Sequence, residues 1–293
     1  MSYINAQSIP EALNSLKEAG GEARIIAGGT DLYLQPLPPI LVDITRIKEL
    51  GEIRKKGNEL EIGAGVTHEE ISASCFLQEK AKVLSQACSQ VGSPQIRNLG
   101  TLGGNVVNAA PAADSAVGLI TLEAKAVIKH CKGENREVSL EQLYQDYHRS
   151  ALEHGQEILT AFRLKYHGVG EGSAFQRFAS RKALSLPMVS AGAWVSVEDG
   201  HIVGLRLVAA PINPAPTRLR QTEQELLGEP TAAVTFQKAA DLAWEEVITR
   251  DSPLRGSAEY RRHLATVGIK RALEEAVRNS FLGKPEDKAG DDH

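Results

Sequence analysis

Hydrophobic and polar residues recur along the chain with two different spacings, and each spacing predicts one kind of element. The segment SIPEALNSLKEAGG has helical spacing, and Ser8 with Glu11 forms a capping box at its start. The segment GEIRKKGNELEIGAG instead alternates on both sides of Gly57 and Asn58, which predicts a β-hairpin. Short helices and short strands are therefore interleaved from the N-terminus onward.

The rest of the pattern predicts a mixed chain of the same kind. Further helices are expected at residues 67–72, 79–93, 114–124, 139–147, 222–228, 231–250 and 256–281. Strands are expected at residues 23–29, 39–47, 125–131, 135–140, 157–164, 173–181, 190–200 and 201–210. In the helix that starts at residue 114, Asp114 is placed to be the N-cap. The predicted fold class is α+β.

A glycine-rich connector, KYHGVGEG at residues 165–172, divides the chain into two parts. A chain of 293 residues is also long for a single hydrophobic core. We therefore expect an N-terminal domain at residues 1–168, with lobes at residues 1–57 and 58–168, and a C-terminal domain at residues 169–293.

Composition and charge exclude several classes of function. Lys and Arg total 33 against 37 Asp and Glu, a net charge of −4, so the basic excess that nucleic-acid binding needs is missing. The sequence has no apolar run of the roughly 18 residues that a membrane span needs. The N-terminal segment MSYINAQSIPEAL lacks a secretory pattern, so we expect a cytoplasmic location.

The cysteines and histidines do not predict a metal site. Cys75, Cys88 and Cys131 are far apart and form no C-x-x-C pair, so neither a zinc site nor an iron–sulfur cluster is expected. The eight histidines lack paired spacing, and we expect them to be solvated or hydrogen-bonded locally. No catalytic residue and no metal ligand is predicted, so redox chemistry would need an organic cofactor.

The first candidate motif is IIAGGTDLY at residues 25–33. A buried strand that runs into Gly28, Gly29 and Thr30 can present successive backbone N–H groups to phosphate oxygens. The alternative is a tight turn between two strands, which a motif this short favours when it is considered alone.

The second candidate motif is GTLGGN at residues 100–105. It offers the Thr101 hydroxyl, a glycine backbone that a ligand can approach closely, and the Asn105 amide. Asp114, a little further on, can accept hydrogen bonds from sugar hydroxyls as well as cap its helix. Neither motif fits G-x-G-x-x-G or G-x-x-x-x-G-K-[ST], so a Rossmann dehydrogenase and a P-loop enzyme are not supported.

The two motifs together are more specific than either one. A-G-G-T-D after a strand, followed by I-R-N-x-G-T-x-G-G-N and then P-x-x-D, resembles the FAD-binding subunit of the molybdenum hydroxylases, the xanthine dehydrogenase and carbon monoxide dehydrogenase family. The resemblance extends over essentially the whole chain, including EILTAFRL and FQRFASRKALSLPMVSAGA. It implies an FAD-binding domain of the vanillyl-alcohol-oxidase (PCMH) type and a C-terminal domain of the CO dehydrogenase flavoprotein type.

The resemblance also implies which residues bind FAD. Those expected around the pyrophosphate and its neighbouring atoms are Arg24, Ile25, Ile26, Ala27, Gly28, Gly29, Thr30, Asp31 and Leu32. Those expected on the other side of the cofactor are Ala64, Val91, Thr101, Gly104 and Asn105. Ile158 and Leu159 are expected as apolar contacts to the ring system, Asp114 in the nucleotide region, and Arg177 as a retained cation.

In this family the flavin subunit makes no bond to the organic substrate. The resemblance implies a molybdopterin-binding large subunit that oxidises the substrate and a [2Fe–2S] subunit that passes electrons to FAD, which delivers them to NAD or another acceptor. VGSPQIRNLGTLGGN is most similar to bacterial enzymes that hydroxylate xanthine or other nitrogen heterocycles. One departure is Ser185, because relatives often have an acidic residue four positions after Arg181; the changed charge near the flavin leaves the acceptance of NAD open.

Other functions stay open at this point. The complex can be of the carbon monoxide dehydrogenase type or act on an aromatic substrate. An assembly subunit without FAD is disfavoured by the intact glycine motifs and by Asp114. A self-sufficient flavin oxidase would need its own substrate pocket, which the short C-terminal domain does not favour.

Overall fold

The computed structural model describes residues 1–181 and 184–282, and its N-terminal part forms a small parallel sheet with one helix. The elements of this first lobe are β1 (Ser2–Asn5), α1 (Ile9–Glu18), β2 (Ala23–Ile26) and β3 (Ile40–Asp43). The strands are parallel in the order β1–β3–β2. Ser8 caps α1 by accepting a 3.3 Å hydrogen bond from the Glu11 amide. Parallel strands end at the same edge of a sheet, so β2 delivers the first glycine motif to that edge.

The second lobe is an antiparallel sheet with short helices. Its strands are β4 (Ile53–Lys56), β5 (Glu59–Gly63), β6 (Lys125–His130), β7 (Asn135–Ser139), β8 (Tyr144–Asp146), β9 (Arg149–Ser150) and β10 (Glu157–Lys165). Its helices are α2 (His68–Ala73), α3 (Cys75–Lys80), α4 (Lys82–Ser89), α5 (Pro94–Leu99), α6 (Leu102–Val107), α7 (Asp114–Thr121) and α8 (Leu140–Leu143). The main sheet has the order β4–β5–β10–β6–β7, and β8 pairs with β9.

The hairpin predicted around Gly57 is formed by β4 and β5, and Gly57 has the positive φ of +63° that this turn requires. Both strands belong to the sheet of the second lobe. That sheet therefore begins at Ile53, whereas the expected boundary after residue 57 falls at the turn of the hairpin.

The C-terminal part is an antiparallel sheet covered by a long helix. Its elements are β11 (Glu171–Ala179), β12 (Pro187–Glu198), β13 (His201–Ala210), β14 (Thr217–Arg218), α9 (Arg220–Glu225), α10 (Ala233–Glu246) and α11 (Ala258–Leu282). The strands lie in the order β11–β12–β13–β14. Helix α11 packs directly on β11, because a Cβ on Gly172 would lie 2.2 Å from the Ala276 carbonyl oxygen. Of the helices in the described ranges, none is long and apolar enough to cross a membrane.

The two parts share an apolar interface. Helices α4 and α7 pack on β11 and β12, and the core of the second lobe continues into the C-terminal sheet through Phe175, Val208 and Ala210. A Cβ on Gly192 would lie 2.4 Å from the Thr121 hydroxyl oxygen, so this glycine allows the close approach of α7 to the sheet. The arrangement is α+β, as predicted.

Candidate cofactor-binding site

The two glycine motifs touch each other through their backbones. A Cβ on Gly28 would lie only 1.8 Å from the carbonyl oxygen of Leu99, so no other residue fits at position 28 without a shift. The Asn108 amide also donates a 3.1 Å hydrogen bond to the Asp31 carboxylate, which joins the segment after the second motif to the first. The predicted sharing of one site by both motifs is therefore geometrically possible.

The first motif presents several unused hydrogen-bond donors. Within the described part of the chain, the backbone N–H groups of residues 28–31 and the Thr30 hydroxyl have no acceptor. Gly29 turns the chain with a φ of +69°, and residues 27–30 are half-buried. Successive free N–H groups at a turn form a concavity that binds anionic oxygens without a cationic side chain.

In the second motif, Gly103 is buried against Ala64 and Gly104 is exposed. The Gly103 amide donates to the Ala64 carbonyl at 2.8 Å, and a Cβ on Gly103 would lie 2.6 Å from the Ala64 Cβ. Thr101 is the N-cap of α6 and accepts a 3.1 Å hydrogen bond from the Gly104 amide. Gly104 is exposed, and a Cβ there would meet only the Thr101 hydroxyl oxygen, at 3.0 Å. Gly104 is thus the glycine of this motif that leaves room for a ligand.

Asp114 is not the N-cap of α7, and that prediction is wrong. Ala113 occupies the cap position, and Asp114 is the first helical residue. Its carboxylate instead accepts hydrogen bonds from Arg177 Nε at 2.9 Å and from Ser190 Oγ at 2.6 Å, both in the C-terminal part. Burial raises the pKa of Asp114 to about 6, although Arg177 and Ser190 favour the ionised form.

Arg177 is accordingly committed to partners within the protein. Its side chain is 8% exposed, pairs with Asp114, and donates a second hydrogen bond to the Ser185 carbonyl. The Ser185 hydroxyl donates in turn to the Arg181 carbonyl at 3.0 Å. The Arg177 guanidinium therefore lies at the junction of the two domains as half of a buried ion pair.

The remaining predicted residues differ in how deeply they are buried and in their hydrogen bonds. Ile158 belongs to the core of the first lobe and Leu159 to that of the second, and both side chains are buried. Val91 is half-buried, with its carbonyl 3.5 Å from Arg97 Nη1. Arg24 donates a weak 3.4 Å hydrogen bond to Gln35. Asn105 accepts from the Ser115 hydroxyl at 2.6 Å.

Four residues near the site are not among those predicted from the sequence. They are His68, Asn108, Ser115 and Ser190. Asn108 lies just beyond the second motif, where an amide close to a glycine motif is a usable signal. Ser190 lies on a strand of the other domain, and no local pattern connects it to Asp114. His68 was expected to be solvated or locally bonded, but it is buried and its ring has no hydrogen-bond partner within the described ranges.

The site fits a dinucleotide better than a metal ion. Its centre offers backbone N–H groups, a hydroxyl and an exposed glycine face, which suit phosphate and sugar oxygens. Within residues 1–181 and 184–282, no group of three or more His, Cys, Asp or Glu residues is arranged to hold a metal ion.

Comparisons with known proteins agree with this geometry. A family model described as "FAD binding domain in molybdopterin dehydrogenase" matches residues 1–164, and one described as "CO dehydrogenase flavoprotein C-terminal domain" matches residues 174–276. The chain is 34% identical over 232 residues to the nicotinate dehydrogenase FAD-subunit of Eubacterium barkeri, covering 76% of this chain and 78% of that one. It is 31% identical to the xanthine dehydrogenase FAD-binding subunit of Escherichia coli O157:H7, with coverages of 94% and 96%.

A solved structure is similar over almost the whole fold. A chain of the carbon monoxide dehydrogenase from Hydrogenophaga pseudoflava superimposes with a TM-score of 0.88 at 27% identity, covering 95% of this chain and 98% of that one. The two-part arrangement described above is thus also found in a chain of a carbon monoxide dehydrogenase.

Proposed function

This chain belongs to the family of FAD-binding domains of molybdopterin dehydrogenases, and from this membership we propose that it is the flavin subunit of a complex that oxidises a nitrogen heterocycle. The resemblance predicted from the two glycine motifs is confirmed by the family model and by relatives named as FAD-binding subunits. The chain is a FAD-binding subunit of an oxidoreductase of the molybdenum hydroxylase type.

The residues of this chain act by holding and orienting FAD, which supplies the ability to take up and release electrons. We assign the free N–H groups of residues 28–31 and the Thr30 hydroxyl to the pyrophosphate. The exposed face of Gly104 borders the same site from the second motif. A hydrogen bond from these donors to a charged oxygen is stronger than one between neutral groups, and the partial burial of residues 27–30 strengthens it further.

We infer that electrons reach this FAD from a [2Fe–2S] subunit and that a molybdopterin-binding large subunit oxidises the substrate. The support is that the matching relatives carry subunit names, so their activities are shared among several chains. A self-sufficient flavin oxidase and an assembly subunit without FAD are the competing functions. The first would reduce its flavin with substrate alone, and the second would purify without flavin.

The nitrogen heterocycle is supported by the names of the relatives, since nicotinate and xanthine are both compounds of this class. The carbon monoxide alternative is supported by the structural similarity to a carbon monoxide dehydrogenase. Assays of the purified complex with xanthine, nicotinate and carbon monoxide, each under anaerobic conditions, distinguish these substrates by whether the flavin band is bleached.

The electron acceptor that we propose is NAD or another acceptor, and Ser185 is the residue that bears on this choice. Its hydroxyl is uncharged and donates a hydrogen bond to the Arg181 carbonyl. This position therefore lacks the negative charge that an acidic residue would place beside the cofactor domain. Rates of reoxidation of the reduced complex by NAD and by an artificial dye test the choice.

The observation that carries the proposed function is the contact between the two glycine motifs beside free backbone N–H groups. The decisive experiment is to purify the chain from its native host with its partners and to identify the bound chains and cofactors. We expect FAD on this chain together with an iron–sulfur subunit and a molybdopterin subunit. Purification as a colourless chain without partners would contradict the proposal.

A further inference from the structure

His68 is a buried polar residue whose ring makes no hydrogen bond in the described part of the chain. The residue is only 1% exposed, and its Nδ1 is completely enclosed without a partner. Buried polar side chains are usually hydrogen-bonded, and leaving one unpaired costs free energy. Nε2 is likewise without a partner in the described ranges but is not completely enclosed, so it is the ring nitrogen that a ligand can reach.

The ring lies where the two glycine motifs meet. The His68 backbone amide donates to the Gly100 carbonyl at 3.0 Å. A Cβ on Gly100 would lie 3.4 Å from His68 Cδ2 and 3.6 Å from the Thr30 hydroxyl oxygen. The nearest atom to that Cβ would be the Ile96 carbonyl oxygen, at 3.0 Å, so the imidazole and the Thr30 side chain lie close against the backbone at Gly100.

The orientation of the ring selects one nitrogen. Cδ2, the atom next to Gly100, is bonded to Nε2, and Nδ1 lies on the opposite side of the ring, where the protein encloses it. Buried N–H groups without acceptors are rarer than buried acceptors without donors, which favours the tautomer with the proton on Nε2.

The ring is also held in its neutral form. Burial, with a smaller contribution from Arg97, lowers the pKa of His68 to about 4. Arg97 itself is paired with Glu69 through a 2.8 Å contact. At neutral pH the imidazole therefore offers one N–H donor and no charge.

We propose that His68 is a cofactor-binding residue, whose Nε2–H donates a hydrogen bond to an oxygen of the bound dinucleotide where the two glycine motifs meet. This role rests on the proposed function, because it presupposes that FAD occupies the site. It adds a side-chain donor to the free backbone N–H groups of residues 28–31 and to the Thr30 hydroxyl.

The competing role is that of an ordinary buried histidine that only fills space. His167 provides a matched control, because it is 5% exposed, its Nε2 is enclosed without a partner, and burial lowers its pKa to about 4 as well. It lies in the connector between the two domains, with its backbone amide bonded to the Lys80 carbonyl at 2.9 Å.

The test replaces each histidine in the full chain and measures FAD affinity by flavin fluorescence and the melting temperature of the FAD-stripped protein. We expect His68→Leu to raise the Kd for FAD roughly tenfold to hundredfold, the range for a lost hydrogen bond to a charged group. The stripped His68→Leu protein should melt at or above the wild-type temperature, since an unpaired polar group has been removed. His167→Leu should leave the Kd unchanged.

Three further variants identify the nitrogen that binds and test the contact at Gly100. The amide of His68→Gln can reach the position of Nε2 and should recover part of the affinity, whereas that of His68→Asn reaches only as far as Nδ1 and should not. Alanine adopts the backbone of Gly100 readily, with its φ of −66° and ψ of 126°, and Gly100→Ala needs only a small shift, because the new Cβ would lie 3.0 Å from the Ile96 carbonyl oxygen. Its methyl group would lie against the imidazole and the Thr30 hydroxyl and should also weaken FAD binding.

The outcomes separate the two proposals. The role of His68 would be overturned if His68→Leu bound FAD as tightly as the wild type. It would also be overturned if His68→Leu lost both affinity and melting temperature and His68→Gln recovered neither. Absence of FAD from the wild type and from His167→Leu alike would overturn the proposed function itself, and the role of His68 with it.

Discussion

Gly104 is the residue of the second glycine motif whose missing side chain leaves open space. A Cβ there would meet only the Thr101 hydroxyl oxygen, at 3.0 Å. We expect Gly104→Val to abolish FAD binding and to preserve the fold, because a branched side chain would occupy the face assigned to the cofactor, while valine favours a helix more than glycine does. Flavin content per folded chain measures this outcome.

Gly103 gives the matched control within the same motif. A Cβ at this position would lie 2.6 Å from the Ala64 Cβ and 2.7 Å from its carbonyl oxygen. Gly103→Ala should therefore lower the free energy of unfolding by about 1–3 kcal/mol through overpacking. Thermal unfolding distinguishes the two variants, since Gly104→Val should have the melting temperature of the wild type. Full flavin content in a folded Gly104→Val protein would show that Gly104 does not border FAD.

The ion pair between Asp114 and Arg177 predicts a pH-dependent loss of stability. Arg177→Met leaves a buried carboxylate without its cation, which should lower the free energy of unfolding at neutral pH by about 3–5 kcal/mol. Without Arg177 the pKa of Asp114 should rise above its value of about 6.

The sign of the pH effect follows from that raised pKa. A carboxyl that binds its proton more tightly in the folded state than at its ordinary pKa of 3.8 stabilises the fold most at low pH, and that contribution is lost as pH rises through the folded-state pKa. The deficit of Arg177→Met should therefore shrink on acidification. Urea unfolding at several pH values measures it, and adding Asp114→Asn should restore part of the stability. A deficit that is independent of pH would contradict this account.

At the residue scale, features set by neighbouring residues could be predicted from the sequence. Contacts between residues of the two domains could not. The glycines at positions 28, 29 and 104 stand out because glycine density has a direct backbone meaning. The partners of Asp114 could not be found in this way, because Ser190 lies 76 positions further along the chain, on the other domain. A helix N-cap was a sufficient local explanation for Asp114, yet Ala113 takes that position.

At the element scale, periodicity predicted most helices and strands because each buries one face. The β4–β5 hairpin and the long helix α11 follow from local signals. The single helix expected at residues 79–93 is instead interrupted at Ala81, whose φ of −149° separates α3 from α4. Sheet order was not predicted, since the position of β10 between β5 and β6 depends on pairings between segments that are distant in sequence.

The packing of α11 on the C-terminal sheet gives a prediction for a whole element. Gly172 allows this contact, because a Cβ there would lie 2.2 Å from the Ala276 carbonyl oxygen and 2.4 Å from the Ser280 amide nitrogen. Gly172→Ala should therefore lower the free energy of unfolding by about 1–3 kcal/mol. Gly168→Ala is the control, since its Cβ would meet nothing closer than the Glu171 carboxylate at 3.9 Å. Equal melting temperatures of the two variants would show that α11 does not press on β11 at this point.

At the scale of the whole molecule, the fold keeps the proposed cofactor site and the domain junction close together. Helix α7 follows the second glycine motif in sequence and packs on the C-terminal sheet, where its first residue meets Arg177. The glycine motifs and the ion pair are thus joined by one short segment of chain.

The last prediction concerns the chain as an electron-transfer unit. We expect the isolated chain to carry FAD and to contain no stoichiometric iron, molybdenum or zinc, because no metal-ligand spacing occurs among its cysteines and histidines. If electrons enter only through a partner's iron–sulfur centre, xanthine or nicotinate should leave the flavin of the isolated chain oxidised under anaerobic conditions. Adding the iron–sulfur and molybdopterin subunits should then allow the same substrate to bleach the flavin band. Metal analysis and anaerobic spectroscopy on one sample measure both results, with dithionite reduction as the control that the flavin is accessible and active. Direct reduction of the lone chain by substrate would overturn the electron-transfer function and favour a self-sufficient flavin oxidase.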